Sequence, residues 1–178
     1  MEDRVIIGDK IEFEKDMESV FTLSFIPLDI FDNWTRASSL SDFIAEYFGS
    51  YFGNESSHNL ISTVINEFIE NAVKFTKNNS QPIVVIVKKR DNDLICRITN
   101  SIPKHRKTAF IEICKELFSE DLDQLFLDKI IEGSNNKTES GIGLILVKKD
   151  YHVKTNFDFF KDNNDMNNVN VTFKLNLQ

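Results

Sequence analysis

Two cysteines, three histidines, no long apolar run and no excess of positive charge exclude several classes of protein before any motif is considered. Cys96 falls in a strand pattern and Cys114 in a helical one, without metal-ligand spacing. That usage argues against a disulfide framework and for a reducing, cytoplasmic setting. His58, His105 and His152 have no His, Cys or Asp partner at ligand spacing, which discounts zinc. No apolar stretch approaches the roughly twenty residues that span a bilayer, and Met1-Glu2-Asp3-Arg4 does not open a signal peptide. With 21 Lys and Arg against 28 Asp and Glu, the net charge is −7 and the pI about 5.0. Such a surface argues against nucleic acid or an anionic membrane as partner. No internal repeat or interdomain linker interrupts the 178 residues, a length suited to one domain, residues 1–178, with a sizeable core.

Sixteen Phe, against three Tyr and one Trp, put most of the aromatic surface into that core. Strands are expected near Lys10–Glu14 and Val20–Ile26, with a polar turn at Asp16–Ser19. A helix from about Asp29 to Phe52 stops at Gly53-Asn54, and the next starts near Ser57. Asn78-Asn79-Ser80-Gln81-Pro82 breaks the chain before Ile83–Val87, an apolar run suited to a strand covered on both faces. Asp91-Asn92-Asp93 reads as a hairpin turn into Leu94–Thr99, where Leu94, Cys96 and Ile98 alternate. In residues 104–132, Ala109, Ile113, Leu117, Leu122, Leu125, Phe126, Ile130 and Ile131 suggest one broken helix or two shorter ones, parted at Ser119-Glu120-Asp121. This segment either packs on the domain or serves as a mobile lid or partner-docking surface. The stretch 133–138 is polar and leads into a glycine motif. Two last strands, about Val153–Phe160 and Val169–Leu177, flank a turn at Asp162–Asp165.

Two motifs carry chemistry. Ile61, Val64, Ile65, Phe68, Ile69, Ala72 and Val73 recur at the spacing of an amphipathic helix, and Glu67, Asn71 and Lys74 form a polar stripe at its edge. An Asn oxygen suits Mg²⁺ that carries nucleotide phosphates, and a Glu one turn away can orient or deprotonate a hydroxyl. Alone, Glu-x-x-x-Asn is also the pattern of an ordinary solvated helix edge. Downstream, Ser140-Gly141-Ile142-Gly143-Leu144 opens a nearly all-apolar helix, where backbone amides attract phosphate. Alone, it is also a tight turn admitting a helix to the core. Both motifs, in this order and across a sheet-forming middle, point to a nucleotide site.

Here the chain resembles the GHKL superfamily, the ATP-binding fold of histidine kinases, anti-sigma-factor serine kinases, DNA gyrase and a class of chaperones. Glu67-x-x-x-Asn71-Ala72 looks like its N box, Lys74-Phe75-Thr76 is similar to the histidine-kinase wording, and Gly141-Ile142-Gly143-Leu144 looks like its second glycine box. The resemblance implies Mg²⁺ on Asn71, Glu67 as base or water-orienting residue, phosphates cradled by residues 140–144, and Lys74 within reach of them. The first glycine box is altered. Where the family has an Asp for the adenine amino group, this chain has Asn100 in Asn100-Ser101-Ile102-Pro103, without either glycine. An Asn oxygen still accepts that hydrogen bond but lacks the carboxylate charge. Phe25-Ile26-Pro27-Leu28, Asn33-Trp34-Thr35-Arg36 and residues 41–48 resemble small stand-alone bacterial members related to the kinases of partner-switching systems. His58 lacks the surroundings of a histidine-kinase phosphoacceptor.

Taken together, an α/β two-layer sandwich is expected, a mixed, mainly antiparallel sheet covered by helices. The leading functional expectation is a cytoplasmic bacterial signalling regulator that binds ATP and Mg²⁺ and phosphorylates a Ser/Thr of a small antagonist protein. The alternative is an inactive binding module that sequesters a signalling partner of antagonist or response-regulator type. A homodimer is compatible with either. The ATP reading requires residue 71 and residues 141–143 to converge on one cavity able to admit a triphosphate.

Overall fold

The computed structural model describes residues 4–14, 18–53, 55–76, 81–119, 121–135 and 141–177. Ser140, and the expected turn or break residues Asp16, Asn54, Asn78, Asn79, Ser80, Glu120, Asn136, Lys137 and Thr138, lie outside them.

The β-branched run from residue 83 forms β3 (Ile83–Arg90), which turns back through Asp91, at φ 51°, into β4 (Asp93–Ser101). Ile83, Val85 and Val87 are buried, and they alternate with half-buried partners on the opposite face. β1 (Val5–Gly8), β2 (Ser19–Phe25), β5 (Lys154–Lys161) and β6 (Asn167–Asn176) complete a six-stranded sheet in the order β1-β5-β6-β4-β3-β2. The sheet expected to be mainly antiparallel is antiparallel in all five pairings. Helices pack on one face, giving the two-layer α/β sandwich.

The helical layer differs from the expected pattern at its start. Instead of one helix from residue 29 to 52, the chain forms α1 (Pro27–Phe31) and α2 (Thr35–Gly49). Asn33 is the cause: its Oδ1 accepts from the Thr35 backbone N–H at 3.1 Å and the Thr35 hydroxyl at 2.6 Å, a local bond that competes with continued helix. Next comes α3 (Glu55–Phe75), whose buried face runs Ile61, Val64, Ile65, Phe68, Ile69, Ala72, Val73 and Phe75, as the periodicity predicts. Phe68 stacks on Phe173 of β6 with centroids 4.1 Å apart, seating α3 on the sheet. The helix expected to start near Ser57 starts at Glu55, which puts His58 in its first turn.

The expected strand at Lys10–Glu14 is absent. These residues have no regular structure, and the first strand is β1. Gly8, at φ 111°, ends β1, and the chain then lays Phe13 against the sheet face opposite the helices. The Arg97 guanidinium lies 3.7 Å and the Lys88 ammonium 4.1 Å from the Phe13 ring, so the segment expected as a strand is a covering segment held by Phe13.

Residues 104–132 resolve into two helices, α4 (Lys104–Ser119) and α5 (Leu122–Asn135). The buried stripe of α4 is Phe110, Cys114 and Leu117, one position away from the expected Ala109 and Ile113, and Ala109 is exposed. On α5, Ile130 and Ile131 are exposed as well. Finally α6 (Ile142–Tyr151) buries Leu144, Ile145 and Val147 and ends at His152 in the left-handed conformation. Among the described residues, no helix is long and apolar enough to cross a membrane.

Candidate functional site

The two motifs meet where the C-terminal half of α3 runs past the first turn of α6. Gly141 opens α6 at φ 61°, a conformation natural to glycine, and its carbonyl accepts the Ile145 N–H at 3.2 Å. A Cβ on Gly143 would stand 2.0 Å from Glu67 Oε2 and 3.0 Å from its Cδ. The Glu67 carboxylate therefore rests on bare backbone, and the glycine at 143 makes room for it. Burial pushes the Glu67 pKa above its ordinary 4.5, the neighbouring Glu70 adds to the rise, and Lys74 opposes it. A carboxylate shifted upward is a better proton acceptor at neutral pH.

One turn further along α3, Asn71 Nδ2 is buried without a hydrogen-bond partner among the described residues. An orphaned amide of this kind costs about 1–3 kcal/mol, a cost that a ligand could remove. Asn71 shares a cavity with Phe68, Ala72, Phe75, Asn100, Phe110, Leu144, Phe157 and Val171. The segments around Asn71, Asn100 and Leu144 thus line the same cavity. Asn100, also buried, donates through Nδ2 to the Ser101 carbonyl at 3.1 Å and to Thr76 Oγ1 at 3.4 Å.

Of the second glycine motif only Leu144 lines this cavity; residues 141–143 and Glu67 do not, so the expected convergence of residue 71 and residues 141–143 on one cavity is not met there, and the cavity has little volume. The cavity leaves about 10 Å³ for the centre of a water-sized sphere, one water's worth, against the roughly 300–1,000 Å³ of ordinary ligand pockets. Aromatic rings fill the remainder. Phe110 of α4 stacks on Phe75 of α3 with centroids 4.4 Å apart, and it meets Phe157 and Phe159 of β5 edge-on at 5.9 and 5.5 Å.

Lys74 stands apart from this cavity. Its Nζ pairs with Glu70 Oε2 at 3.1 Å and lies 5.7 Å from the centroid of Trp34. Ile142 is half-buried at the start of α6, and Leu144 lines the cavity. The lining residues missing from the motif reading are Phe110, Phe157 and Val171. The spacing of Phe110, Cys114 and Leu117, at i, i+4 and i+7, is the signal that locates the first. A larger hollow of about 400 Å³, at Leu60, Tyr151, His152, Lys154, Lys174, Leu175 and Asn176, contains none of the motif residues.

For ATP with Mg²⁺ the fit divides. The phosphate and metal end has an orphaned buried amide, a glycine backbone with no room for a Cβ, and a left-handed glycine opening a helix. Beside Asn71 and Asn100, Phe75 and Phe110 stack into the remaining space, and no room for a base is open there. No group of three or more His, Cys, Asp or Glu side chains able to hold a metal occurs among the described residues, so Mg²⁺ would depend on Asn71 and on phosphate oxygens arriving with it. Cys96 and Cys114 are buried thiols with pKa values pushed up by burial, unsuited to nucleophilic chemistry.

No protein-family model and no curated protein matches the chain. The fold is similar to that of a chain in the crystal structure of the SiaB–SiaC complex from Pseudomonas aeruginosa, with a TM-score of 0.61 over 89% of this chain and 91% of that one. At 8% sequence identity, the two share a fold.

Proposed function

We propose that the chain is a cytoplasmic signalling regulator of the GHKL type that takes ATP·Mg²⁺ between α3 and α6 and acts on a protein partner by phosphorylating a Ser/Thr hydroxyl. The observation that carries this reading is the Glu67 carboxylate seated on Gly143, with the unpartnered Asn71 amide one turn away. The nucleotide supplies the transferable phosphoryl group. Asn71 holds the metal through its amide oxygen and turns its unpartnered Nδ2 to a phosphate oxygen, the first turn of α6 presents backbone amides to the phosphates, and Glu67 accepts the proton of the partner's hydroxyl. Phe110 holds the base compartment closed, so α4 must withdraw for nucleotide to enter. The structural neighbour comes from a complex of SiaB and SiaC, which supports action through a protein partner.

A second reading is favoured by the same ring packing: an inactive module whose nucleotide compartment is permanently filled and whose work is to sequester its partner. Thermal unfolding of wild type and Asn71→Ala, with millimolar ATP in the presence and absence of Mg²⁺, separates the two. ATP at about 100 times its Kd adds about 2.7 kcal/mol of stability to a protein that binds it. The first reading expects a Mg²⁺-dependent rise in Tm for wild type only. No rise in either protein supports the second.

A further inference from the structure

We infer that the hollow where β5 begins and β6 ends is a binding site for a small organic carboxylate, with Lys154 as the residue that holds its charge. The hollow measures about 400 Å³, within the roughly 300–1,000 Å³ of ordinary ligand pockets. It lies at the end of α6 remote from the second glycine motif. At a rise of about 1.5 Å per residue, the ten residues of α6 set its two ends about 15 Å apart. His152, at φ 52°, turns the chain from α6 into β5, and Tyr151 and Lys154, on either side of that turn, both line the hollow. Binding here is therefore independent of nucleotide beside Asn71.

Charge decides the class of ligand. The protein is acidic, at −7, yet no acidic residue lines this hollow. Lys154 and Lys174 are direct partners in the antiparallel register of β5 and β6, so their side chains leave the same face of the sheet side by side. Like charges set directly opposite destabilise a strand pair. Asp93 of β4 relieves one of them: its carboxylate pairs with the Lys174 ammonium and accepts from Asn176 Nδ2 at 2.9 Å. This wall of the hollow thus already holds one carboxylate. Lys154 is exposed and has no hydrogen-bond or ion-pair partner among the described residues. Its neighbours on the same two elements differ, since Lys148, Lys149 and Lys161 each meet an Asp carboxylate. Two lysines and one aspartate leave a single uncompensated positive charge, which a monoanion matches. A phosphate monoester, at about −2, brings a second charge that Asp93 repels. The carbonyl end of α6 carries partial negative charge at Tyr151, so the carboxylate sits on Lys154 and the apolar body of the ligand against Tyr151, Leu60 and Leu175.

Amide-detected NMR of the ¹⁵N-labelled protein, without nucleotide or Mg²⁺, tests the site with 3-phenylpropionate, which joins one carboxylate to an apolar ring. The Lys154 backbone amide and the Asn176 side-chain amide should move along one saturation curve with a midpoint of about 1 mM, as befits so small a ligand, while Gly141 and Gly143 stay still. The neutral 3-phenylpropionamide should leave all of them unmoved. Lys154 is exposed and unpartnered, so Lys154→Met keeps the fold and most of the side-chain stem, and it should weaken 3-phenylpropionate about tenfold or more through loss of the charged hydrogen bond. Signals that stay still at about 20 mM 3-phenylpropionate overturn the inference. So does an equal response to the acid and its amide, or an unchanged midpoint in Lys154→Met, because either removes the charge from the recognition. Movement confined to Gly141 and Gly143 also overturns it, by placing the anion at the other end of α6.

Discussion

Replacing Asn71 by Leu should stabilise the protein while abolishing any response to ATP·Mg²⁺. Asn and Leu have the same branched, four-atom side-chain skeleton, so the substitution introduces no gross change of shape. In the folded chain Asn71 Nδ2 is buried without a partner among the described residues, and the cavity around it is built from Phe68, Ala72, Phe75, Phe110, Leu144, Phe157 and Val171, with Asn100 as its other polar member. Removing an unsatisfied buried donor recovers about 1–3 kcal/mol, and apolar contact with the surrounding rings adds to that. For a chain of this size each kcal/mol moves Tm by about 2–4 °C, so a rise of roughly 2–12 °C is expected. Urea denaturation provides the free energy, with an unchanged m-value as the control for an unchanged fold. A variant less stable than wild type by more than about 1 kcal/mol would refute the reasoning, because it would mean that the amide has a stabilising partner in the folded chain. A polar group retained at a cost to stability is characteristic of a residue kept for function.

Three further substitutions test the site. Glu67 has a raised pKa, so its contribution to stability is full below about pH 4.5 and is lost as pH rises through the folded value; Glu67→Gln should therefore gain on wild type as pH rises above about 4.5, and parallel pH curves in urea denaturation would contradict this. Phe110→Ala removes a ring packed against three others and should cost about 3–5 kcal/mol of stability. If α4 gates the site, the same variant should bind ATP about tenfold more tightly in calorimetry, because the closed state no longer competes, and an unchanged affinity would dismiss the gate. Gly143→Ala gains up to about 1 kcal/mol of helix propensity but drives its Cβ into the Glu67 carboxylate, so unfolding should stay within about 1 kcal/mol of wild type while the ATP-dependent shift in Tm disappears.

Most of the fold was readable where one period dominates a long segment. The 3.6-residue pattern of α3 is set by burial of a single face and the structure keeps it; the apolar run of β3 forms its strand with one face buried and the other half-buried, and β6 buries Val169, Val171, Phe173 and Leu175, with Thr172 buried as well. Readings failed where a local hydrogen bond or a non-local contact decided the outcome. Asn33 splits one expected helix through its side chain, and Phe13 leaves the strand pattern because a cation on each of two neighbouring strands offers it a place on the sheet. At the site, the sequence motifs anticipated which backbone segments meet, since the geometry of Glu67 on Gly143 depends on residues named in those motifs. The filling of the space between them was hidden. It is set by Phe110, whose position relative to Phe75 and Phe157 depends on how α4 docks, a fact of tertiary packing that no local pattern contains.

The central claim is that residue 71 and residues 141–143 serve one ligand. Amide-detected NMR of the ¹⁵N-labelled protein tests it directly, since the Asn71 side-chain amide and the Gly141 and Gly143 backbone amides each give a separate signal. Titration with ATP·Mg²⁺ should move all three along one saturation curve, and omission of Mg²⁺ should reduce the movement of Asn71 most. Signals that stay still at millimolar nucleotide, or that move with unrelated midpoints, would contradict the account.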